Sequence, residues 1–170
     1  MGVHPGCNNS GGSFGYFNVD ANGQITQPLS QFFASQLVNL EWLKPGSEEH
    51  KIYAATSDVQ DGAAHVLVTA YAAQRPDGEW ALLIINKDQE NAHSVRIRFH
   101  DHQSKSDQSF SGEVQKVTFG SAQYVWRPLE RAADPDGPPV RSAIRADSNT
   151  RFELPAASIV VLRGKTTMSR

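Results

Sequence analysis

Apolar residues recur at spacings of three and four in one stretch of the chain: Leu29, Phe32, Phe33, Leu37, Leu40 and Leu43. That spacing draws a single stripe along a helix. Pro28 stands where a first helical residue is expected, and Pro45-Gly46 where a helix stops. The stripe therefore predicts a helix from Pro28 to Leu43. Ahead of it, Phe14–Val19 reads as a short strand and Asp20-Ala21-Asn22-Gly23 as a turn.

After residue 46 the period changes to two. Strands are predicted over Lys51–Thr56, Ala64–Ala73, Glu79–Asn86, His93–His100, Gly112–Phe119, Ala122–Arg127, Thr150–Leu154 and Ser158–Leu162. Arg75-Pro76-Asp77-Gly78 is a hairpin signal between two of them. The unbroken apolar run Trp80–Ile85 predicts a central strand buried on both faces. His93–His100 alternates cleanly, with Val95, Ile97 and Phe99 on one face and Arg96 and Arg98 on the other. Residues 101–109 and 130–149 read as polar loops. Short strands joined by turns, with no crossover helices, predict an all-β fold: an antiparallel β-sandwich of jelly-roll or Greek-key type, about eight strands, preceded by one N-terminal helix.

Composition sharpens the division. Residues 1–45 carry only Asp20, Glu41 and Lys44 as charged groups, yet they are rich in glycine and aromatics. A free tail is normally polar, so this stretch reads as the interior of something. Two parts follow: a strand-turn-helix segment over 1–45 and a sandwich over 46–170. The whole chain, 170 residues, is too short for a (β/α)8 barrel, which takes about 250. Sixteen basic and eighteen acidic residues give a charge of −2, which argues against nucleic-acid and polybasic membrane partners. No apolar run approaches a membrane span. The first residues lack the charged and apolar regions of a secretory signal, so the chain carries no address label. Cys7 stands alone, which excludes an intrachain disulfide and a cysteine-based zinc site.

Candidate chemistry is sparse. Hydrolysis of a glycosidic bond uses two carboxylates at a set separation, and the acids here are scattered mostly through loops. The glycine-rich run Ser10–Gly15 lacks the lysine of a phosphate loop. Asp134-Pro135-Asp136-Gly137 lacks the ligand run of a calcium loop and reads as a turn. No cofactor motif is present. His100 and His102, at i and i+2 on a strand, face one side; with His93 they form the one candidate metal cluster. Their setting is also that of ordinary exposed loop histidines. Trp80, Tyr124 and Trp126 are candidate sugar-binding aromatics, because flat rings offer large contact area. Strand aromatics equally often fill a sandwich core.

Four segments together resemble a known architecture. The run Leu154-Pro155-Ala156-Ala157-Ser158-Ile159-Val160-Val161-Leu162-Arg163-Gly164 resembles the final strands of the β-sandwich accessory domain of retaining glycoside hydrolases with a (β/α)8 catalytic barrel. The nearest are the arabinofuranosidase and xylosidase types. Trp80–Lys87 resembles the apolar strand ending in Asn-Lys of the same domain, and Tyr124 and Trp126 its aromatic strand before a long loop. Gly15–Asp20 with the helix resembles the last strand and helix of the barrel. The resemblance implies a non-catalytic sandwich domain, a catalytic barrel or a polysaccharide as partner, and an exported parent enzyme. It carries over no catalytic residue: the family's glutamates sit on earlier barrel strands, and Glu41 lies on the predicted helix. The stripe through Leu29, Phe33, Leu37 and Leu40 must cover a surface, either the sandwich itself or a second copy in a homodimer. An independent carbohydrate-binding module is the alternative function.

Overall fold

The computed structural model describes residues 15–130 and 132–168. Cys7 and the glycine-rich run before Gly15 lie outside them, as does the start of the strand predicted from Phe14.

The chain opens with a hairpin, β1 (Phe17–Val19) and β2 (Ile25–Pro28). Its turn is the one the sequence predicts. An Asp20 side-chain oxygen accepts from the Asn22 and Gln24 amides, and Gly23 takes a positive φ of 81°. The second strand carries no strong period-two signal and is absent from the sequence reading. Pro28 ends that strand; it is not the first helical residue. The helix α1 (Ser30–Gln36) starts two residues later and widens into a π-helical turn, Leu37–Trp42.

β3 (Lys51–Tyr53), β4 (Val68–Gln74) and β5 (Trp80–Asn86) form a meander. The predicted Arg75–Gly78 turn joins β4 to β5, with Gly78 at φ 80° and its amide donating to the Arg75 carbonyl at 2.9 Å. The predicted strand His93–His100 divides into β6 (His93–Val95) and β7 (Phe99–Asp101). β8 (Ser106–Gly120) is longer than predicted. It is followed by the hairpin β9 (Tyr124–Arg127) and β10 (Ala132–Asp136). β11 (Val140–Ala146), β12 (Phe152–Leu154) and β13 (Ser158–Met168) complete the chain.

The main sheet runs β11-β8-β13-β5-β4-β3, with β7 on the first part of β8. The last strand thus lies at its centre, between β5 and β8, in antiparallel register with both. Two positions curl this sheet. Gly112 takes φ 80° in β8, and the pairing of β13 with β8 shifts register between Gly164 and Thr166. A second layer, the β12–β6 pair, closes over the concave side.

Both faces of the centre are covered. On one, Leu82, Ile84, Val160 and Leu162 meet Phe110, Phe152 and Leu154. On the other, Leu83, Val117, Phe119 and Val161 meet Phe33 and Leu37 of the helix. Successive strand residues point to opposite faces, so an unbroken apolar run is what a doubly covered strand requires. The expected all-β antiparallel sandwich with one preceding helix is the observed fold.

The helix docks on its own sandwich. Leu29, Phe33 and Leu37 are buried, each stabilising the fold by roughly 2 kcal/mol through burial. The face expected to offer a homodimer contact is therefore occupied within the chain. Leu40, placed on the stripe by its spacing, is 48% exposed, and Glu41 is buried in its stead at 6%. The buried row runs by fours: 29, 33, 37, 41. In α-helical winding such a row drifts around the axis. The π-helical turn, marked by the Leu43 amide on the Val38 carbonyl at 3.0 Å, winds more loosely and holds Glu41 on the sheet side.

Candidate functional site

Two of the four sequence segments that carry the resemblance meet at one corner. Asn86 ends β5 and Ser158 begins β13, and they are register partners. The buried Asn86 amide nitrogen lies within hydrogen-bond distance of three carbonyls: Asn91 at 3.0 Å, Leu154 at 3.3 Å and Pro155 at 2.8 Å. Its oxygen accepts from the Asp88 amide at 3.1 Å. The Ser158 hydroxyl donates to the Pro155 carbonyl at 2.6 Å, and the Ala157 amide to the Asp88 carbonyl at 2.7 Å. Gly120 completes the corner: a Cβ there would stand 2.9 Å from that of Ser158. The side chains of Asn86, Asp88 and Ser158 thus satisfy backbone groups that a strand end would otherwise leave unpaired.

Asp88 anchors the next turn. It accepts from the backbone amides of Glu90 and Asn91, both at 3.0 Å, and stands 3.0 Å from His93 Nε2. Chiefly the two amides, then the Asn91 and His93 side chains, draw its carboxyl down to about 2 from an ordinary 3.8. A carboxyl lowered on folding contributes stability that is present above the ordinary value and lost as pH falls toward the folded one. The wild-type urea midpoint therefore drops between about pH 4 and pH 2, and Asp88→Asn flattens that slope. Parallel slopes for the two proteins would refute the assignment.

The six residues singled out from the sequence do not converge. Trp80 packs between Tyr53 and Phe99, with ring centroids 4.8 Å from each, beside the concave core. Tyr124 packs against Phe33 at 6.0 Å and Phe119 at 5.9 Å, under the helix on the other side of the sheet. Trp126 lies two residues further along β9, opposite Ala133 of β10. Trp80 and Tyr124 thus belong to different layers. The histidines separate likewise. His93 sits in β6 beside Asp88, whereas His100 Nδ1 lies 2.8 Å from Asp107 on the β7–β8 edge. His102 stacks edge-on against His100, with centroids 4.8 Å apart. Among the described residues no group of three histidine, cysteine or acidic side chains is placed to hold a metal ion. The split of the predicted strand at Arg96–Arg98 separates His93 from the other two.

Sequence reasoning missed the densest polar cluster. Glu41 accepts from the Arg141 Nη2 in a short contact and lies 3.3 Å from Arg163 Nη2. Its own carbonyl accepts from Arg75 Nη1 at 2.9 Å, and Arg75 also pairs with Asp77 at 3.3 Å. Trp42 donates its indole N–H to the Ala81 carbonyl at 3.2 Å. An acid on the i+4 row of a helix stripe, and Arg163 closing an apolar strand, were the available signals. Both Glu41 oxygens are engaged by guanidinium groups. The cluster joins helix to sheet.

No family model matches the sequence, and no curated protein matches it. Solved structures do overlap with it. The chain is similar to part of certain glycoside hydrolases. An arabinofuranosidase aligns at TM-score 0.41 and 15% identity, over 60% of this chain and 20% of its own. A GH51 alpha-L-arabinofuranosidase from Thermotoga petrophila aligns at 0.40 and 14%, with the same coverage. A GH30 endoxylanase from Clostridium papyrosolvens aligns at 0.39 and 18%, over 68% of this chain and 23% of its own. The chain spans about a fifth of the length of these enzymes.

Proposed function

We propose that this chain is a non-catalytic β-sandwich accessory domain of a glycoside hydrolase, acting to stabilise or shape a catalytic barrel. The observation that carries the reading is the Asn86–Ser158 corner. The two segments with the strongest resemblance to that domain are distant in sequence and interlock in space through their characteristic residues. The engagement of both Glu41 oxygens supports the non-catalytic part. The test uses the purified full chain on nitrophenyl arabinofuranoside and xyloside. No turnover above blank is expected, and turnover proportional to protein concentration would overturn the reading. The shaping role predicts that a (β/α)8 glycosidase barrel deprived of its own sandwich unfolds at a higher temperature when coexpressed with this chain.

The independent carbohydrate-binding module is the less supported alternative, because Trp80 and Tyr124 pack on opposite sides of the sheet. Retarded migration of the chain in gels containing arabinoxylan would favour it.

A further inference from the structure

Three strands lie at edges of the main sheet, β3, β7 and β11, and they are unequal. β3 and β7 have three residues each. β11 has seven, and its pairing with β8 is unbroken from Val140 opposite Thr118 to Ala146 opposite Gly112. No proline and no bulge interrupts it, and Val140 is 52% exposed, with Arg141, Ser142, Ala143 and Arg145 exposed too. On such an edge every second residue turns its N–H and C=O outward, ready to pair with another strand.

The charges on this edge select the occupant. A second copy pairing antiparallel over all seven residues would centre on Ala143. Arg141 would then face Arg145 of the other copy, twice over, and like charges directly opposite destabilise a strand pair. The arginines share the helix-side face of the strand, on either side of Ala143. Arg141 lends one nitrogen to Glu41, and its side chain remains 55% exposed. Arg145 makes no ion pair among the described residues; Glu113, its register partner, accepts from Gln115. An extended segment with acids two residues to either side of its centre would place one opposite each arginine.

We propose that β11 is a docking edge for an extended segment of another protein, with acidic residues at alternate positions, which joins the sheet as a further strand. This is β-augmentation: main-chain hydrogen bonds hold the segment and side-chain charge selects it. The inference stands independently of the accessory-domain reading.

The test titrates the full chain with capped seven-residue peptides alternating valine and glutamate, followed through the amide resonances of Val140–Ala146. The glutamate peptide is expected to shift these amides and slow their hydrogen exchange. A valine–lysine peptide is expected to bind at least about tenfold more weakly. Methylating alternate amides of the glutamate peptide abolishes binding, and Arg145→Glu cancels the charge preference, since one arginine and one glutamate then face the peptide. Arg145→Ala serves as the second variant and weakens the preference without cancelling it. Equal binding of the acidic and basic peptides, undiminished binding of the methylated one, or shifts confined to other strands would overturn the proposal. So would a concentration-dependent dimer paired through β11.

Discussion

Glu41→Ala is expected to lower the stability of the chain by about 3 kcal/mol, measured as a fall in the urea midpoint at unchanged slope. The size follows from what remains behind. Arg163 is largely buried on the face that the helix covers, and Arg141 is partly so. Without Glu41 both guanidinium groups sit against the apolar helix face with no counter-charge. Breaking a buried pair from one side costs more than the pair is worth, because the surviving charge stays desolvated. Partial exposure of Arg141 lets water take over some of that duty, which holds the figure below the upper end for fully buried pairs. The double variant Glu41→Met with Arg163→Met should recover much of the loss, since only the half-exposed Arg141 is then left without its partner. The same loss in the single and double variants would show that the carboxylate matters for its shape alone. A loss in Glu41→Ala accompanied by protease cleavage near residue 43 would locate the opening at the helix.

What the sequence reveals depends on how many physical requirements each position meets. β5 and the first part of β13 are legible because burial on both faces leaves no room for polar residues: Trp80–Ile85 and Ile159–Leu162 read as strands in any context. The Asp20–Gly23 and Arg75–Gly78 turns are legible because their backbones demand specific residues. β11 is not, since an exposed edge strand imposes almost no pattern: Arg141-Ser142-Ala143 looks like loop. The start of β8 is hidden for the same reason, its polar residues Ser106–Gln108 being paired by backbone to β7 and to the end of β13. Glu41 is misplaced because a 3.6-residue period assumes α winding throughout, and the π-helical turn breaks that assumption where the helix meets the arginines. The candidate aromatics and histidines fail to converge for a related reason. Spacing along one strand fixes a face, but which layer a strand joins is a long-range fact. Asn86 and Ser158 show the opposite case. Their chemistry is legible only through resemblance, and the structure supplies its cause: they satisfy backbone groups across a corner.

Phe110→Ala is expected to cost about 4 kcal/mol, the loss usual for truncating a fully buried phenylalanine. Phe110 is 1% exposed and sits just before the Gly112 bend, where β8 passes from its pairing with β7 to its pairing with β11. Its ring meets Phe99 edge-on at 5.0 Å and Phe152 at 5.9 Å, so it packs the side chains of β7 and β12 against β8. Gly164 faces it from β13. A Cβ at Gly164 would lie 3.3 Å from Phe110 Cδ1, 3.1 Å from Val114 Cγ2 and 3.2 Å from the Glu113 carbonyl. Gly164→Ala should therefore destabilise the wild type, and it should destabilise Phe110→Ala less, because one of its three close neighbours is gone and the vacated space lets the β13 backbone shift. The coupling between the two sites, read from the urea midpoints of the four proteins, is expected to be of order 1 kcal/mol. Additivity within about 0.3 kcal/mol would mean that the glycine is required by Val114 and the Glu113 carbonyl, without Phe110. The curl of the sheet would then be set by backbone packing at the β8–β13 crossing, and the phenylalanine would merely fill the space that the curl creates.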